Sequence, residues 1–68
     1  MDHKDLLIIN GQILAMMDTT QKMLNAVVND NPNKGSITSF QRIKLEGQTK
    51  GLLTYIQKVA TKEVNQDE

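Results

Sequence analysis

The residues of this 68-residue chain best suited to chemistry are cations. Lys44, Lys58 and Lys62 recur near one side of a segment with helical spacing, with Gly47 and Gly51 between them, Phe40 at one end and Tyr55 on the edge. A row of ammonium groups beside aromatic rings can hold phosphates, and paired glycines let a flat ligand or another backbone come close. A nucleotide or RNA is the ligand class that follows, with Arg42 or Lys50 in support. The competing reading is a solvated basic face. Eight Lys plus Arg balance eight Asp plus Glu, so no net field draws the chain onto a polyanion or an anionic membrane, and any such contact must be local.

Catalysis has a thinner basis. The chain has no cysteine and one histidine, His3, close to the start, where we expect it to be exposed. Ser36 and Ser39 lack an evident base and orienting partner. There is no P-loop, dinucleotide fingerprint or zinc-protease motif. Asn29, Asn31, Asn33 and Gly35 echo a calcium loop only faintly, since the glycine falls one place late and Phe40 stands where the closing glutamate belongs. We therefore expect no enzyme, no metal site and no cofactor.

The elements that must position these residues are two helices. Turn-forming side chains, the only proline and a glycine fall together in Asn29-Asp30-Asn31-Pro32-Asn33-Lys34-Gly35-Ser36, so a loop is expected over 29–36. Before it, Leu6, Ile9, Ile13, Met16, Thr20, Met23 and Val27 keep a heptad spacing with six of seven apolar. Leu14, Met17, Leu24 and Val28 widen that stripe to about half the circumference of a helix. The first helix is placed at about 3–28, with Asp2 capping it and Asp5 in its first turn. Asn10-Gly11 between apolar runs offers a β-hairpin as the alternative. Against it, Leu6 to Ile9 does not alternate, and one interior glycine costs a helix only about 1 kcal/mol.

The second helix is placed at about 38–64, opening on a capping box in which Thr38 and Gln41 bond each other's backbone. Leu45, Leu52, Ile56 and Val59 form its apolar face, flanked by Leu53 and Ala60. Ile43-Lys44-Leu45 alternates ahead of Gly47, which leaves a short strand within 37–46 as an alternative. Residues 65–68 read as a frayed polar tail beyond a single domain over 1–64. Residues 1–30 carry four Asp against two Lys, and 36–64 carry five bases against two Glu, so antiparallel helices attract weakly.

The fold class that follows is all-α, an antiparallel helical hairpin assembling into a helical bundle. A hairpin covers one stripe per helix, and the first helix has apolar girth beyond that. Self-association through Leu6, Ile9, Ile13, Met16, Thr20, Met23 and Val27, with two hairpins making a four-helix bundle or several making a larger ring, disposes of the remainder. Thr20, in mid-stripe, would either fix the register between subunits or return its hydroxyl to the carbonyl of Met16.

The function expected is a non-enzymatic interaction module that self-associates and binds a macromolecular partner as a regulator or adaptor. Partner contact is expected at Phe40, Lys44, Gly47, Gly51, Tyr55, Lys58 and Lys62. The alternative is a helical oligomer that binds nucleotides or RNA through the lysine stripe, and a third reading docks Met16, Met17 and Met23 on a larger protein. The longest apolar run, Leu6 to Ile9, is far short of the ~20 residues of a membrane span. The acidic start and the missing cleavage pattern argue against a signal peptide. With no cysteine to staple, a cytoplasmic location is expected.

Overall fold

The computed structural model describes the backbone of residues 1–66 and the side chains through Lys62. Two helices, α1 (His3–Val28) and α2 (Lys34–Gln66), fold back on one another as an antiparallel hairpin. There is no strand among the described residues. The β-hairpin alternative at Asn10-Gly11 and the strand alternative within 37–46 are thereby excluded. The helix runs unbroken through Gly11, because the apolar period on either side outweighs one weak position. Residues 65 and 66 continue α2, and the rest of the tail lies outside the described residues.

α1 begins where its sequence provides for its free amide groups. The Asp5 N–H donates to Asp2 Oδ1 at 2.9 Å and the Asp2 N–H donates to Asp5 Oδ2 at 3.3 Å, a reciprocal box in which both acids face the positive end of the helix. It ends in a Schellman turn. Asp30 takes the left-handed conformation with φ 49°, its N–H donates to Val27 O at 3.1 Å, and the Asn31 N–H reaches Ala26 O at 2.9 Å. An aspartate fills the place glycine usually takes, as short polar side chains can.

The turn is shorter than its composition suggests. The Asn31 side chain accepts the Asn33 N–H at 2.8 Å, the Asn31 carbonyl accepts from Lys34 at 2.9 Å, and Asn33 O takes the Ile37 N–H at 2.9 Å. With Pro32 held at a helix-compatible φ, this Asx turn starts α2 at Lys34. The loop is therefore 29–33 rather than 29–36, and the helix opens about one turn before residue 38. The expected capping box is corrected with it: Thr38 lies inside the helix, and its hydroxyl faces Lys34 O at 2.8 Å and Gly35 O at 3.1 Å.

Seven residues of α1 are withdrawn from solvent, and no others: Asp5, Ile9, Gln12, Met16, Thr19, Met23 and Ala26, alternately four and three apart. Opposite them α2 turns in Gln41, Leu45, Gln48, Leu52, Tyr55 and Val59 at the same spacing, with Ile37, Thr38 and Ile56 beside them. This is a heptad seam, the packing expected of antiparallel helices joined by a short turn. Its composition is unusual. Among the described residues the most deeply buried side chain is a threonine, Thr19, only 1% exposed, and the buried apolar residues are Ile9, Ala26 and Val59. Thr19 Oγ1 lies 2.8 Å from Gln48 Oε1 and 3.1 Å from Ala15 O, linking the helices in mid-seam. The buried amide oxygens of Gln12 and Gln41 have no hydrogen-bond partner among the described residues.

A second polar tie fastens the open end. The Tyr55 hydroxyl donates to Asp5 Oδ1 at 2.8 Å across fifty positions of sequence. This bond, ahead of the capping amide of Asp2 and the charge of Lys62, lowers the Asp5 carboxyl below its ordinary 3.8, while partial burial opposes it. The same bond raises the Tyr55 phenol above its ordinary 10.0.

A carboxyl depressed by folding stabilises above its unfolded value and ceases to do so as pH falls through its folded one. A phenol raised by folding stabilises below its unfolded value and ceases to do so as pH rises through its folded one. The tie should thus be complete between pH 3.8 and 10.0 and fail beyond either edge. Tyr55→Phe should lower stability inside that window and flatten the loss at both edges, as read from urea titrations within the window and outside it.

Candidate functional site

One residue along an α-helix is about 100° of rotation. The expected self-association stripe falls apart along that line. Ile9, Met16 and Met23 enter the seam with α2, whereas Leu6, Ile13, Thr20 and Val27 stay exposed. With Asn10, Met17 and Leu24 these exposed residues form a second heptad row, Leu6, Asn10, Ile13, Met17, Thr20, Leu24 and Val27, each one position after a member of the buried seam. Met17 is 60% exposed, Leu24 52% and Val27 58%, and Leu7, Leu14 and Val28 continue the apolar surface outward. Thr20 does what an exposed helical threonine does, its hydroxyl 3.0 Å from Met16 O, while the neighbouring Thr19 is the buried one.

This row and the edge of α2 enclose a groove of ≈450 Å³ lined by Ile13, Met16, Met17, Thr20, Leu24 and Leu45, with Gln21 and Thr49 at its margin. Between Asp5 and the end of α1 the only charged residues are Asp18 and Lys22, which pair with each other at 3.3 Å. Apolar side chains left in water over so long a strip are the feature the fold most conspicuously leaves unanswered. The Met16, Met17 and Met23 patch is divided: Met17 lies on the open row, and the other two lean into the seam.

The residues of α2 at which partner contact is expected are brought together only in part. Phe40, Lys44, Gly47, Gly51, Lys58 and Lys62 are exposed, and helical rotation sets them on the side of α2 away from the apolar groove. Tyr55 is turned inward and bonded to Asp5. The charge of Lys62 is the weakest of the influences that lower the Asp5 carboxyl. His3 is exposed as expected. No cluster of three or more metal-ligating side chains occurs among the described residues.

Two features escaped the sequence reading. Thr19 and Gln48 are polar residues at seam positions, where an apolar period assigns Leu or Ile. The second row of α1 is visible in the sequence only once the first is assigned.

A Cβ added at Gly47 or Gly51 would meet no atom within 4 Å, and the same holds at Gly11. Packing inside the chain therefore does not require these glycines. Gly47→Ala and Gly51→Ala should each stabilise the chain by about 1 kcal/mol through helix propensity alone, measurable by urea denaturation. Any ligand that needs the notch would bind the same variants more weakly. Comparison with protein-family models, with curated proteins and with solved structures finds no match to this chain.

Proposed function

We propose that the chain is a non-enzymatic helical interaction module, one that self-associates and in its assembled form binds a macromolecular partner as a regulator or adaptor. One observation carries the reading: a charge-free row of α1 from Leu6 to Val27, five of its seven members apolar, remains in water after the hairpin has formed. A surface of that kind is unfavourable in isolation and favourable once covered, so it marks a place of association. The hairpin seam adds weight, since it is short of apolar side chains and holds Gln12, Thr19, Gln41 and Gln48 in their stead. No helix among the described residues is long and apolar enough to cross a membrane. We place the module in the cytoplasm, on the absence of cysteine from its sequence.

Binding that stabilises only the assembled form makes stability depend on concentration. The melting temperature should rise with protein concentration from micromolar to millimolar, and light scattering should show more than one chain per particle. One chain per particle across that range would refute the reading.

A further inference from the structure

We infer that the occupant of the open row is α1 of a second copy of this chain, laid antiparallel across it about a two-fold axis near Met17. The inference rests on the reading of the chain as a self-associating module and specifies its interface.

Area supports a second copy. A compact monomer of 7.6 kDa would expose about 4300 Å² by the scaling of surface with mass, whereas this chain exposes 5310 Å². The surplus of about 1000 Å² per chain is close to the ~800 Å² that each partner contributes to a standard stable interface.

Geometry supports α1 as the element in contact. The open row lies one residue, hence about 100°, around the helix from the buried seam. Neighbours in a four-helix bundle stand at about 90° around each member, so a helix with two such rows is built for a corner. The matching row of α2, Arg42, Glu46, Thr49, Leu53, Ile56 and Ala60, is interrupted by two charges, whereas that of α1 has none. The largest uncharged cover for α1 is therefore another α1.

Symmetry supports the direction and the centre. The apolar surface runs from Leu6 to Val28, and its midpoint is Met17, beside the groove. A two-fold axis there sets Leu6 against the partner's Val28 and Met17 against itself, and antiparallel helices oppose their dipoles favourably.

The chain has no cysteine, so a single introduced thiol reports its own neighbourhood. Met17→Cys should couple to itself through a short bismaleimide, giving a covalent dimer. Ile43→Cys, exposed on another side of α2, should stay uncoupled. Met17→Glu and Met17→Lys each set like charges at the axis and should weaken association on the order of 100-fold or more, while an equimolar mixture recovers a heterodimer. If the protein assembles but Ile43→Cys couples and Met17→Cys does not, this interface is overturned and the module reading survives. If every preparation contains single chains, both fall.

Discussion

The structure turns on a constraint of helix geometry: α1 has two apolar heptad rows one residue apart, and one neighbouring helix can cover only one of them. The row that α2 covers is the poorer in apolar side chains, with Asp5, Gln12 and Thr19 among its seven members. The row left in water has Leu6, Ile13, Met17, Leu24 and Val27. A hairpin choosing its seam by apolar content alone would rotate α1 so that the richer row faced α2. Specific polar ties hold it in the observed rotation: Tyr55 to Asp5 at the open end and Gln48 to Thr19 in the middle. Both are satisfied only when residues 5 and 19 face inward.

The two ties also explain how a weak core defines one register. A half-buried polar pair gives little net stability but disfavours alignments that separate it, because each group would then lose a partner while still partly shielded from water. Sliding α2 by one turn would part Thr19 from Gln48 and Tyr55 from Asp5 together. Beyond the turn, where the Schellman bonds and the Asn31 Asx turn set the reversal, these pairs are what tell one alignment of the helices from another.

Much of the fold was legible in the sequence, for identifiable reasons. Asp2 and Asp5 announced the start of α1, and the cluster from Asn29 to Asn33 announced its end, because capping and turn formation are local and depend on side chains a few residues apart. The start of α2 was misplaced because Thr38 and Gln41 satisfy a pattern that Asn31, Pro32 and Asn33 had already made redundant one turn earlier. The seam was half legible. The heptad Leu6, Ile9, Ile13, Met16, Thr20, Met23, Val27 averages the two true rows, drawing three members from the covered one and four from the open one. An apolar arc about half the helix wide has no internal mark of where one neighbour ends and the next begins. That division is made by α2, through Gln48 and Tyr55, and no periodicity within α1 contains it.

The apolar surplus on which the expectation of association rests therefore lies where the hairpin cannot reach it. If α1 had only the stripe that α2 covers, its exposed side would be polar and the chain would be a thin two-helix rod, 56 × 18 × 10 Å, with little beyond Ile9, Thr19, Ala26 and Val59 to hold it closed. Chains this small rarely reach useful stability on one core. The division of labour between the rows resolves this: polar pairs in the covered seam specify how the helices meet, and the apolar row outside supplies the larger hydrophobic burial once it is covered. Folding and assembly are then one process in the proposed bundle, and α2, with Phe40, Lys44, Gly47, Gly51 and Lys58 on its other side, is left facing outward for whatever the assembled module binds.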